Sequence, residues 1–196
     1  MTAKKYLLIT GVSLLTACAP PKPVIEVPQN NLNLSSVKES KAQTPATISS
    51  FEIRGALAAK AKSKGWSASM HWLQEGPNSY HIRLMGPLGS GTVLVNKQGK
   101  TITFQDGSKK ITSNDAESLL LKQTGIKLPV NNLYYWVRGL PAPGAIQSKQ
   151  SDNSDHLKQL KQNGYIIDFN QYMYVNGMVL PSNVRLKGNG IMVKVI

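Results

Sequence analysis

From Phe51 onward the chain alternates apolar and polar residues with a period of two. Trp66, Ala68, Met70 and Trp72 alternate with Ser67, Ser69 and His71, and Tyr80, Ile82 and Leu84 alternate with His81 and Arg83. Ile102 and Phe104 repeat the pattern, as do Tyr165, Ile167 and Phe169, and then Ile191, Val193 and Val195. Successive strand residues point to opposite faces, so each run predicts a strand with one apolar and one polar side. Asn163-Gly164, Asn176-Gly177 and Gly188-Asn189-Gly190 separate the later runs. Asn-Gly suits the tight turns whose twist matches paired strands, so neighbours in sequence are expected to pair antiparallel.

Two helices interrupt this pattern. Asn114 with Glu117 three residues on reads as a capping box, Leu119, Leu120 and Leu121 follow, and Gly125 ends the first helix. The second is expected over Asn131 to Arg138, where Leu133, Trp136, Val137 and Leu140 form one apolar stripe. Gly139, Pro141 and Pro143 stop it. Both helices are short and need the apolar face of the sheet to cover their stripes. The expected fold is therefore mainly β, an antiparallel sheet capped by short α-helices. A packed core is the simpler outcome of this pattern, although a long sheet under short helices can also retain an apolar cavity. By strand and helix phase, Trp66, Met70, Trp72, Ile82, Leu84, Phe104, Leu120, Leu133 and Trp136 are the residues placed to line such a space.

Between the strand-like runs Tyr80 to Leu84 and Thr92 to Asn96 lies Met85-Gly86-Pro87-Leu88-Gly89-Ser90-Gly91. Gly and Pro belong in a tight loop; Leu does not. Leu88 either folds back as a plug on the core or projects as a hydrophobic probe into a bilayer or another protein.

The N-terminus carries an address. Lys4 and Lys5 precede an apolar run, Tyr6 to Leu15, far shorter than the roughly 20 residues that span a bilayer. Leu15-Thr16-Ala17-Cys18 follows, and Cys18 is the one cysteine, so no internal disulfide can form. This run resembles the bacterial lipobox, which implies cleavage before Cys18 and lipidation of its sulfur and amino group. Ala19, where Asp would retain a lipoprotein in the inner membrane, points to the outer membrane. Pro20, Pro21, Pro23, Pro28 and Pro45, among Asn, Gln and Ser, make residues 19–48 read as a tether, with a short helix around Leu32 to Lys41. The expected organisation is signal peptide 1–17, lipidated Cys18 and tether to residue 48, then one folded domain over 49–196.

Charge adds a constraint: 23 Lys and Arg against 10 Asp and Glu give +13. Such a chain attracts acidic partners. The basic residues are scattered, with no zinc-finger spacing and no RNA-binding signature, so no nucleic-acid partner is expected. Catalytic patterns are absent too. His71, His81 and His156 do not cluster with carboxylates as metal ligands do. Gly89-Ser90-Gly91 lacks the spacing and the following helix of a nucleophile elbow. No phosphate-binding or dinucleotide fingerprint is present, so no cofactor and no metal are expected. The sequence reads as a binding protein rather than an enzyme.

A set of ordered motifs narrows this further: Arg54-Gly55-Ala56, Trp72-Leu73-Gln74, Gly86-Pro87-Leu88-Gly89, Asp115-Ala116-Glu117, Leu128-Pro129-Val130, then Leu133 and Trp136-Val137-Arg138-Gly139-Leu140-Pro141, and finally Gln162-Asn163-Gly164-Tyr165 and Leu180-Pro181-Ser182-Asn183. In order and spacing they resemble the LolB family of outer-membrane lipoprotein receptors over nearly all of 51–196. One departure is the end at Ile196, where family members often run a few residues further with a tryptophan. The resemblance implies a curved half-barrel around a hydrophobic cavity for acyl chains. It implies a monomer, anchored in the inner leaflet of the outer membrane, that takes lipoproteins from the periplasmic carrier LolA without nucleotide. It also implies that Leu88, flanked by Pro87 and Gly89, is an exposed probe needed for delivery into the bilayer. Two rival classes remain: an envelope-assembly lipoprotein with a packed core, and an enzyme acting on lipid or glycan.

Overall fold

A computed structural model describes residues 44–196. The signal peptide, Cys18 and the expected helix around Leu32 to Lys41 lie outside the described residues.

The strands are β1 (Phe51–Ala61), β2 (Lys64–Gln74), β3 (Ser79–Met85), β4 (Thr92–Gln98), β5 (Thr101–Asp106) and β6 (Lys109–Ser113). Helices α1 (Ala116–Thr124) and α2 (Val130–Trp136) follow, and then β7 (Ile146–Ser151), β8 (Leu157–Gln162), β9 (Tyr165–Val175), β10 (Met178–Gly188) and β11 (Ile191–Val195). They form one eleven-stranded sheet in the order β6-β5-β4-β3-β2-β1-β11-β10-β9-β8-β7. Every pairing is antiparallel. Two meanders are thus joined at their middle by β1 and β11, with the helices carrying the chain from one edge of the sheet to the other. β6 and β7 do not pair with each other, so the sheet is an open half-barrel and not a closed barrel.

At roughly 4.8 Å per strand, eleven strands laid flat would be about 50 Å wide. Helices of nine and seven residues cannot cover that width. The sheet therefore wraps, as sheets of this size do. Its inward residues from both halves, including Leu57, Trp72, Phe104, Leu160, Ile167 and Val193, join Leu119, Leu133 and Trp136 of the helices in one core.

β1 and β11 stay paired to the last residue. Ala56 N–H donates to the Ile196 carbonyl at 2.8 Å, and Ile196 N–H donates to the Ala56 carbonyl at 3.0 Å. Gly55 makes this approach possible, because a Cβ there would lie 1.8 Å from the Ile196 oxygen.

The helix ends differ from expectation. Asp115, not Asn114, caps α1: its carboxylate accepts from the backbone N–H of Glu117 at 3.0 Å and of Ser118 at 3.1 Å, and from the Ser118 hydroxyl at 2.6 Å. Glu117 is then too early to reach back as a capping-box partner and pairs with Lys127 at 3.7 Å. Helix α2 ends at Trp136, two residues early, since Gly139 turns the chain with φ 74°.

Residues 44–48, read as the end of the tether, are docked on the domain. The buried Arg138 guanidinium donates to the Ile48 carbonyl, and its Nε donates to the Tyr134 carbonyl at 2.9 Å. It lies 4.0 Å from the centre of the Tyr134 ring. With no carboxylate paired to it among the described residues, burial lowers its pKa from the usual guanidinium value.

Candidate functional site

The core is not filled. A cavity of about 390 Å³ lies between β1–β5 and the helical layer, within the ~300–1,000 Å³ range of small-molecule sites. Trp66, Met70, Trp72, Ile82, Leu84, Leu120 and Leu133 all line it. β2 and β3 keep unbroken alternation, with Met70 opposite Leu84 and Trp72 opposite Ile82. Leu57, Val95, Leu128, Val130 and Val195 complete the apolar wall. Leu57, Val95 and Val195 carry a strand-phase signal. Leu128, in the turn between the helices, and Val130, the first residue of α2, fall outside any periodic run that could have found them.

Phe104 and Trp136 do not line the cavity, which corrects the expectation for both. Phe104 is 3% exposed and packed in the core on β5, a strand that α1 contacts. Trp136 is fully buried on the far half of the sheet, its Nε1–H donating to Gln162 Oε1 at 3.2 Å and its ring edge-on to Tyr165 at 5.6 Å. One turn of α2 separates Leu133, which faces the cavity, from Trp136, which faces β8 and β9.

Polar lining is sparse. Ser67, Ser90, Thr124 and Asp106 are its oxygen-bearing side chains, and Asp106 is the one charged residue among the lining. The indole N–H of Trp66 is buried with no partner among the described residues. Trp72 differs, since its Nε1–H donates to Gln74 Oε1 at 2.9 Å. The Tyr80 hydroxyl is likewise unpartnered, and burial pushes its pKa well above the ordinary phenol value.

At one end of the cavity the wall is the loop after β3, through Gly86, Pro87, Ser90 and Gly91. The loop closes on itself: Gly86 N–H donates to the Gly91 carbonyl at 3.1 Å, Gly89 N–H to Gly86 at 3.2 Å, and Ser90 N–H to Pro87 at 3.0 Å. Gly86 must lack a side chain, because a Cβ would meet the Ser90 hydroxyl at 2.6 Å. Leu88, at the tip, has φ 54° and is 108% exposed. It does not fold back as a plug. A left-handed leucine costs roughly 1–2 kcal/mol, and full exposure gains no burial in return. Strain retained at an exposed apolar side chain points to a function for that side chain.

The histidines lie away from the cavity. His71 sits 2.8 Å from Glu52 and His81 3.0 Å from Asn96 on the outer face, and His156 sits 3.1 Å from Asp152.

A half-barrel wrapped round an apolar cavity, with an exposed hydrophobic tip on the loop that borders it, is a protein built to hold apolar ligands. The family model "Outer membrane lipoprotein LolB" matches residues 49–196, and the chain belongs to the LolB family. Curated relatives named outer-membrane lipoprotein LolB agree along its whole length. Those of Stutzerimonas stutzeri and Pseudomonas syringae are each 32% identical, and that of Pseudomonas aeruginosa is 30% identical, each aligned over 100% of this chain and 95% of its own. A solved LolA superfamily protein from Nitrosomonas europaea aligns at TM-score 0.45 with 10% identity, over 74% of this chain and 82% of that one.

Proposed function

We propose that this protein is the outer-membrane receptor that accepts lipoproteins from the periplasmic carrier LolA, holds their acyl chains in the cavity, and inserts them into the outer membrane. Cys18 carries the lipid anchor, the tether follows it, and the domain over 49–196 faces the periplasm. The observation that carries this reading is the apolar cavity of about 390 Å³ bordered by the loop that holds Leu88 in solvent.

Acyl chains offer little directionality, so a wall of aliphatic and aromatic side chains suffices to bind them. Trp66, Met70, Trp72, Ile82, Leu84, Leu120 and Leu133 form the acyl-binding wall, and the free Trp66 N–H is available to an ester or amide carbonyl of the cargo. Transfer needs no nucleotide if the cavity holds the chains better than the carrier does, because ~1.4 kcal/mol already gives a tenfold bias. Pro87, Leu88 and Gly89 form the tip that enters the bilayer.

The test uses signal-less protein with Cys18→Ala, mixed with LolA carrying a purified lipoprotein. Movement of the cargo onto this protein without nucleotide is expected. Cargo that stays on a competent carrier from the same cell refutes the receptor reading.

A further inference from the structure

The strand register sorts the turns to two ends of the sheet. Residues 62–63, 86–91, 107–108, 163–164 and 189–190 share the end at which Leu88 projects. Residues 75–78, 99–100 and 176–177 lie at the other. Net charge follows the same division, because lysines stand at both ends while the carboxylates gather at one. Lys60, Lys62 and Lys64 flank the first turn of the Leu88 end, Lys109 and Lys110 follow the turn at 107–108, and Lys187 precedes the last. All six are exposed, and none is in an ion pair among the described residues. Asp106 is the single carboxylate within two residues of these turns, whereas Glu52, Glu75, Asp115, Asp152 and Asp155 gather at the opposite end.

One of these turns differs from the others in the residue it places at positive φ. Asn163-Gly164, Asn176-Gly177 and Asn189-Gly190 each place Asn in the left-handed region, which Asn tolerates. The turn after β1 puts Lys62 there instead, at φ 51°, although lysine has no such tolerance. Lys60, Lys62 and Lys187 meet round one shallow depression with Met192. The cavity wall reaches the same rim through Pro87, Ser90 and Asp106.

We propose that this lysine rim is a docking surface for anionic lipid headgroups, and that it seats Leu88 and the loop bordering the cavity against the bilayer. It adds to the proposed receptor function, and rests on it only for the role of Leu88. A bilayer fits better than an acidic protein because a fully exposed leucine stands among the lysines. A headgroup layer meets the charges while the acyl region takes the apolar tip, as for other interfacial anchors. Each lysine near such a surface contributes roughly fivefold to binding at low salt, and screening removes much of it.

The experiment is vesicle co-sedimentation of signal-less Cys18→Ala protein, without cargo or carrier. Vesicles are phosphatidylcholine alone, or phosphatidylcholine with about a third phosphatidylglycerol. Preferential binding to the anionic vesicles is expected, weakening as salt rises. Lys60→Gln/Lys62→Gln/Lys187→Gln should bind them on the order of a hundredfold more weakly. Lys97→Gln/Lys100→Gln/Lys158→Gln, with the same charge removed at the other end, should match the parent protein. Circular dichroism checks that both variants fold. Equal loss in the two variants would reduce the rim to general charge, and no preference for anionic vesicles would overturn it. A rim variant that binds vesicles like the parent but no longer takes cargo from LolA would make the rim a carrier site instead. Because carrier transfer is read separately, the receptor reading and the rim can fail independently.

Discussion

The indole of Trp136 donates to Gln162 Oε1 at 3.2 Å with both side chains wholly buried, and this bond ties α2 to β8. The same oxygen accepts from Ala142 N–H at 2.8 Å, and Gln162 Nε2 donates to the Ala142 carbonyl at 2.6 Å. Gln162 thus ties the segment after α2 to β8. Gln162→Leu would leave these groups unpaired in a dry interior, at about 1–3 kcal/mol each. We expect urea denaturation to show a loss of several kcal/mol in total. Acyl binding by the folded fraction should persist, because neither residue borders the cavity.

Variants of Leu88 test stability and the proposed delivery role separately. Leu88→Gly relieves the left-handed strain but loosens the unfolded chain, so stability should stay the same or rise by no more than about 1 kcal/mol. Leu88→Glu should keep the fold and acyl binding while blocking release of lipoproteins into membranes. Normal insertion by the glutamate variant would end the probe assignment, and a large stability loss in the glycine variant would show that Leu88 packs on the fold.

Trp66→Phe tests the unpartnered N–H at the cavity wall. Removing a buried, unpaired donor should leave the ligand-free protein equally stable or slightly more so. If that N–H meets a cargo carbonyl, affinity for an acylated peptide should fall by roughly tenfold, equivalent to ~1.4 kcal/mol. Unchanged affinity in a fluorescence titration would assign Trp66 to apolar packing alone.

Gly55→Ala should break the pairing of Ala56 with Ile196, since the new methyl collides with the Ile196 carbonyl. A loss of about 2–4 kcal/mol is expected from thermal unfolding. Deleting Ile196 in the same chain removes the collision, so the double variant should recover part of that loss. Additive losses would mean that the contact does not limit stability.

The α1 cap gives stability a defined pH dependence. Hydrogen bonds from the Ser118 hydroxyl and from the backbone of Ser118 and Glu117 hold the Asp115 carboxyl below its ordinary value. A lowered folded-state pKa contributes stability that is present above the unfolded value and lost as pH falls through the folded one. Asp115→Ala should therefore cost about 1 kcal/mol at neutral pH. The gap between the two proteins should narrow as pH drops below about 4. A gap independent of pH would show that the charge plays no part.

The sequence by itself determined β2 to β5 and the inward face of β2 and β3, because a half-buried antiparallel strand writes its two faces as alternation. It also determined that Gly86 to Gly91 is a tight loop with one misplaced leucine. The edge strand β7 was invisible: Ile146–Ser151 is almost wholly exposed, so no apolar side is there to read. β8 hides behind register shifts against β7. Three things were decided only by tertiary structure. Which buried residues face empty space and which face neighbours depends on where α1 and α2 cross the sheet, and helix phase does not encode that; hence Leu133 borders the cavity while Phe104 and Trp136 are packed. The exposure of Leu88 depends on hydrogen bonds that close its loop on itself. The gathering of lysines from separate hairpins beside Leu88 depends on register, which brings residues more than a hundred positions apart to one end of one sheet.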